Sequence, residues 1–223
     1  LPDAVLLDHD GTLVETEPLW FEAEQKFARE RGTTITTEQS LGLVGKAMSH
    51  TSKLMKTWTG APESPEEIGQ IITGMVADAV SSQPPRWRPG IERLLYALKA
   101  EGVSVGLVTS SARQIVDQLL VQLPDGLFDV VISSDEVENL KPHPEPYLQA
   151  MRAVGANPSR SVVLEDSGSG IRSAKAAGAN VVAIPCMLDL PAEDGLSRFA
   201  SVEDLSVEVL GRISRGEVID QLA

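Results

Sequence analysis

Asp8 and Asp10 stand two residues apart at the end of an apolar run and are followed at once by Gly11 and Thr12. Along an extended backbone, residues i and i+2 share a side, so both carboxylates face one small volume. Two carboxylates held that close repel unless a cation or a shared proton relieves them, which suits the pair to a metal ion or to a raised pKa. Gly11 lets the backbone turn sharply after them, and Thr12 adds a hydroxyl and an amide fit for an oxyanion. Three later groups carry matching chemistry. Ser110 in Thr109-Ser110-Ser111 offers a hydroxyl and the following amides to a phosphate. Lys141 offers a positive charge, and Glu165 with Asp166 offers oxygen ligands for a hard cation such as Mg²⁺. Taken singly these are a common helix cap, an exposed loop and a turn. Gathered at successive strand ends they form a chemically complete set.

The elements needed to gather them are legible as a change of rhythm along the chain. A helix is expected from Thr16, with Pro18 in its first turn and Trp20, Ala23 and Phe27 at helical spacing, ending near Arg31-Gly32. Residues 37–82 show no strand pattern, and short helices are expected at 37–43, 48–58 and 68–80, the last behind a Ser64-Pro65-Glu66-Glu67 start. Pro84-Pro85 and Pro89-Gly90 then punctuate the chain. Helix and apolar strand alternate from there. Helices are expected at 91–100, 112–123, 145–154 and 170–177, and strands at 103–108, 130–133, 162–164 and 181–184. Gly102, Gly155 and Gly178 close three of the helices. Strands that read as continuous Val, Ile and Leu mark a parallel sheet covered on both faces. Residues 187–200 read as loop, and Ser201 with Asp204 as the start of a last helix toward Ile213. The expected architecture is α/β, a doubly wound parallel-sheet (Rossmann-like) core with an inserted all-helical cap: residues 1–15 core, 16–86 cap, 87–223 core.

Composition narrows the function classes. The 223 residues are 42% hydrophobic and carry a net charge of −13. That charge argues against nucleic acid, whose phosphate backbone needs clustered Lys and Arg. Apolar runs are far shorter than the ~20 residues of a membrane helix, and no basic stretch followed by an apolar one opens the chain, so a cytoplasmic protein with no membrane partner is expected. Cys186 stands alone and is read as a small buried residue. His50 and His143 are read as surface residues, and His9 as a core-edge residue pointing away from the two aspartates.

The assembled motifs resemble those of the haloacid dehalogenase superfamily, in the branch with a helical cap after the first motif, over essentially the whole length. D-H-D-G-T-L at residues 8–13 is similar to the family's first motif and V-T-S-S at 108–111 to its second. L-K-P-H-P-E-P-Y-L at 140–148 matches the third, and V-V-L-E-D-S-G-S-G-I at 162–171 the fourth. The resemblance implies that Asp8 is a nucleophile forming an aspartyl phosphate. It implies that Asp10 is the acid that protonates the leaving oxygen and then the base that activates water, roles that spacing alone does not separate. It implies that Ser110 and Lys141 hold the transferring phosphoryl group, and that Asp8, the Asp10 backbone carbonyl and Asp166 bind Mg²⁺ with Glu165 near by. Gly11, Thr12 and Ser111 join the substrate-binding set.

Two departures are informative. Glu15 stands where the family often has Asp just before the cap, which bears on the hinge and not on the chemistry. Trp20 occupies the place where related β-phosphoglucomutases carry a proton-transferring histidine, and E-P-L-W at 17–20 resembles the cap entrance of sugar-phosphate phosphatases. Within the cap, V-G-K-A at 44–47 resembles a loop that reaches the active site, with Lys46 facing the substrate; Trp20 is equally readable as cap packing, Lys46 as a solvated lysine, and Arg113 as a weaker candidate for the same purpose. The expected activity is Mg²⁺-dependent hydrolysis of a small phosphorylated metabolite, a sugar or polyol phosphate, by a monomer. The rival is a phosphomutase of the same mechanism. A receiver-type phospho-acceptor is shorter and has no helical insert. A dinucleotide site at Gly168-Ser169-Gly170 lacks its third glycine, and Glu165-Asp166 would repel a pyrophosphate.

Overall fold

The computed structural model describes residues 1–223. Strand β1 (Ala4–Leu7) is followed by helices α1 (Glu17–Glu30), α2 (Thr37–Leu41), α3 (Met48–Thr59) and α4 (Pro65–Ser81). The chain then runs through α5 (Ile91–Ala100), β2 (Ser104–Val108), α6 (Arg113–Leu120), β3 (Val130–Ile132), α7 (Glu145–Ala153), β4 (Val162–Glu165), α8 (Gly168–Ala176), β5 (Asn180–Ala183), β6 (Leu196–Arg198) and α9 (Val207–Ile213). The six strands form one parallel sheet in the order β3-β2-β1-β4-β5-β6. This is the doubly wound core expected from the apolar runs.

The order places β1 at the switch point, because the chain leaves it toward β2 and β3 and returns on its other side as β4. Open α/β sheets bind ligands beyond the carboxyl ends of the strands at that point. Register makes the three ends level: Leu7 lies beside Leu107 on one side and Leu164 on the other. The Asp8 amide continues the ladder by donating to Leu164 O at 3.1 Å, and the Thr109 amide to Ile132 O at 2.9 Å. Beneath lies a core that includes Leu6, Val108, Tyr147, Met151, Val163 and Ile171.

Contacts divide the chain into two units, one of residues 1–15, 86–111 and 123–223, the other of residues 16–85 and 112–122. The sequence pattern assigns 112–122 to the core; α6 instead packs on α4, burying Ile115, Val116 and Leu119. In the helical unit, Ser64 caps α4 as its sequence suggests: Ser64 Oγ accepts from the Glu67 amide at 3.2 Å, and Glu67 Oε2 accepts from the Ser64 amide at 2.7 Å. Ile68, Ile72, Val76 and Val80 form the buried stripe of that helix. Thr16 occupies the N-cap position of α1 without a side-chain cap hydrogen bond. Where the sheet unit's two crossing segments meet, the Glu15 amide donates to Arg86 O at 2.8 Å and the Arg88 amide to Leu13 O at 3.0 Å.

Three local expectations are corrected. The stretch read as loop contains β6, which closes the sheet edge. Its Arg198 is buried because the guanidinium pairs with Asp220 at 2.7 Å and donates to Leu190 O at 3.0 Å. The last helix does not start at Ser201. That residue caps a single 3-10 turn, Leu205 is extended, and Ser206 caps α9 by accepting from the Val209 amide at 3.2 Å. Cys186 is half-buried rather than buried.

Candidate active site

Asp8 follows β1 directly, and its partner is Lys141, from the loop before α7. Lys141 Nζ donates to Asp8 Oδ1 at 2.6 Å, Glu165 Oε1 at 2.7 Å and Val108 O at 2.9 Å. All three charged groups are buried. Burial works against the Lys141 charge, but the two carboxylates outweigh it and hold its pKa above the ordinary lysine value. Burial also dominates at Asp8. With Glu165 and Asp10 adding to it and Lys141 opposing, the Asp8 carboxyl is pushed up to about 7. One ammonium thus stands among several acidic groups, an arrangement that favours a further cation.

Glu165 is the most tightly held member. Its Oε1 accepts from Lys141 and, at 2.6 Å, from Tyr147 OH; its Oε2 accepts from the Ser167 amide at 3.2 Å and Ser167 Oγ at 3.0 Å. Gly170 makes this possible: a Cβ there would lie 1.7 Å from Oε1 and 2.1 Å from Oε2. Of the two glycines read as a failed dinucleotide loop, Gly170 therefore has a packing reason. Tyr147, fully buried and with Lys141 Nζ 4.8 Å from its ring centroid, belongs to this network too. Sequence reasoning missed its role, although its place inside the third motif was a usable signal. The Lys141 loop is pinned to α8 by Ser173 Oγ, which donates to His143 O at 2.6 Å.

Asp10 is held from two sides. Ser111 Oγ donates to Asp10 Oδ2 at 2.5 Å, and His9 Nδ1 lies 3.1 Å from the same oxygen. His9, read as a core-edge residue pointing away from the aspartates, is fully buried and turns toward Asp10. Gly11 has φ +79°, the turn its identity suggested. Thr12 is buried, and its hydroxyl has no hydrogen-bond partner within the protein. Ser110 is half-buried at the end of β2.

Carboxylate oxygens of Asp8, Glu165 and Asp166 lie within 4.8 Å of one another. Buried hard oxygens so close fit the donor set of Mg²⁺. Because four protein donors already engage Glu165, Asp8 and Asp166 are the better placed pair to ligate. In the helical unit, Trp20 is half-buried on α1, while Lys46, between α2 and α3, is exposed, as are His50 and, in the sheet unit, His143.

The model of the family described as haloacid dehalogenase-like hydrolases matches residues 5–184. The chain belongs to that family. Within it, the chain is 30% identical over 177 residues to the phosphorylated carbohydrates phosphatase of Thermotoga maritima, covering 79% of this chain and 82% of the relative. It is 29% identical over 188 residues to hexitol phosphatase B of Escherichia coli, covering 82% and 83%. CbbY from Rhodobacter sphaeroides, solved in complex with phosphate, matches with a TM-score of 0.84 at 27% identity over 94% of this chain and 99% of that one. No helix of this hydrolase is long and apolar enough to cross a membrane.

Proposed function

We propose that this hydrolase is a Mg²⁺-dependent phosphatase of small phosphorylated sugars or polyols that works through an aspartyl phosphate on Asp8. The observation that carries the reading is the buried Lys141 ammonium, 2.6 Å from Asp8 and 2.7 Å from Glu165 at the end of the central strand. A transferring phosphoryl group spreads negative charge over its oxygens, so the site needs fixed positive charge beside an oxygen nucleophile. The two phosphatase relatives support the substrate class.

An Asp8 carboxylate oxygen attacks phosphorus as the bond to the sugar or polyol oxygen breaks, and Asp10 gives its carboxyl proton to that leaving oxygen. Water then attacks the aspartyl phosphate and loses its proton to Asp10, and the phosphorus bond to Asp8 breaks. Inorganic phosphate leaves and both side chains return to their starting states. Lys141 and the Ser110 hydroxyl hold the phosphoryl oxygens, helped by Gly11 and Thr12. Asp8, Asp166 and the Asp10 backbone carbonyl are the assigned Mg²⁺ ligands, with Glu165 holding Lys141 in place. Mg²⁺, when bound, supplies positive charge that offsets repulsion between Asp8 and the incoming phosphate. Trp20 and Lys46 are assigned to the organic part of the substrate.

The test is phosphate release across sugar, polyol and glycolate phosphates, with and without Mg²⁺, for wild type and Asp8→Asn. Mg²⁺-dependent release that Asp8→Asn abolishes without unfolding is expected; turnover retained by that variant sinks the nucleophile assignment. Conversion of β-glucose 1-phosphate to glucose 6-phosphate without net phosphate release would replace the hydrolase reading by the phosphomutase one.

A further inference from the structure

We propose that His9 and Ser111 are positioning residues that lock the orientation of Asp10 for proton transfer, an inference that rests on the reading of Asp10 as the acid and base. Both act on one atom, Asp10 Oδ2: Ser111 Oγ donates to it at 2.5 Å, and His9 Nδ1 lies 3.1 Å away in a charge-pair contact. They reach it from different strands, His9 from the end of β1 and Ser111 from the end of β2.

Each is itself fixed. The His9 carbonyl accepts the amides of Leu13 at 3.0 Å and Val14 at 3.1 Å, while the Gly11 amide returns to Val14 O at 2.9 Å. The loop that carries Asp10 is therefore closed on itself, and the His9 ring is buried beneath it. The Ser111 amide donates to Thr109 Oγ1 at 2.9 Å, and the Ser111 carbonyl accepts the Ser134 amide at 3.1 Å. Asp10 itself is only half-buried. A side chain with that freedom samples several rotamers unless something holds it, and proton transfer demands one of them. The acid's contribution is typically 10²–10⁴-fold, so orientation lost at Asp10 is rate lost.

The consequence depends on the leaving group. A sugar or polyol alkoxide must be protonated as it departs, whereas p-nitrophenolate leaves without a proton. The readout is kcat/KM, which reports only the steps through formation of the aspartyl phosphate. Ser111→Ala and His9→Leu are each expected to lower kcat/KM for an alkyl phosphate on the order of 10- to 100-fold, and for p-nitrophenyl phosphate by several-fold less than that. His9→Asn, which keeps a polar nitrogen near the place of Nδ1, is expected to recover most of the alkyl activity. Circular dichroism and melting curves check that each variant folds, and either one alone suffices.

Equal losses on the two esters, or no loss on the alkyl ester, overturn the inference while leaving the phosphatase reading intact. If the wild type releases phosphate from neither ester, the underlying reading falls and the inference with it.

Discussion

Replacing Glu24 by glutamine probes what burial costs inside the helical unit. Glu24 lies on the inward face of α1 beside Ala23, Phe27 and Ala28, and is 4% exposed. Burial, opposed in smaller part by the Ser40 hydroxyl, pushes its carboxyl from the ordinary 4.5 up to about 7. A group whose pKa rises on folding contributes stability that is complete below its unfolded value and is lost as pH climbs through the folded one. The penalty is therefore small below about pH 4.5, grows by ~1.4 kcal/mol per pH unit, and levels off above about pH 7 at roughly 3 kcal/mol. Glutamine has nearly the same shape and never ionises. Between about pH 5.5 and about pH 8.5, the advantage of Glu24→Gln over wild type should widen by roughly 2 kcal/mol, several degrees in Tm for a chain of this size. Paired urea or thermal melts across that range measure it. Any fixed cost of burying the amide shifts both ends alike, so the slope carries the test. A difference that is flat, or that narrows as pH rises, would refute the burial argument.

Other perturbations bear on the sheet unit. Gly170→Ala puts a methyl group 1.7 Å from Glu165 Oε1, so stability and phosphate release should both fall sharply; melts and turnover matching the wild type would show that Glu165 can move aside. Lys141→Met leaves Asp8 and Glu165 buried without their shared cation, at a cost of roughly 3–5 kcal/mol. Part of that loss should return with added Mg²⁺, which urea melts with and without the ion would reveal. Chelation of divalent ions should stop turnover by the wild type with no change in its circular dichroism, and Mg²⁺ alone should restore it.

The parts of this architecture that are visible in sequence are those set by local chemistry. Runs such as Ala4–Leu7 and Val162–Glu165 are apolar at every position but the last of β4, because both faces of a central parallel strand are covered, and each points to the acidic group at its end. Ser64 and Glu67 announce α4 because a capping box is a property of four adjacent residues. What stays hidden depends on partners distant in the chain. Leu196-Ser197-Arg198 has no strand pattern, and Arg198 is buried only because Asp220 and Leu190 come to meet it. No spacing rule tells that Gly170 makes room for Glu165, or that Tyr147 donates to it. The period-2 rule sends the His9 side chain away from its neighbours, but the chain has left the strand by then, and the turn swings the ring round to Asp10.

The position of β1 matters during synthesis as well as in the finished sheet. Ala4 pairs with Ser104 and Val5 with Val162, so β1 leaves the ribosome long before either neighbour, β2 beginning only at Ser104 and β4 only at Val162. At translation speeds of ~5–20 residues per second, that is a wait of several seconds or more with four apolar residues uncovered. A nascent chain halted before β4 would keep one flank of β1 open, with the aggregation hazard that exposed strand edges carry.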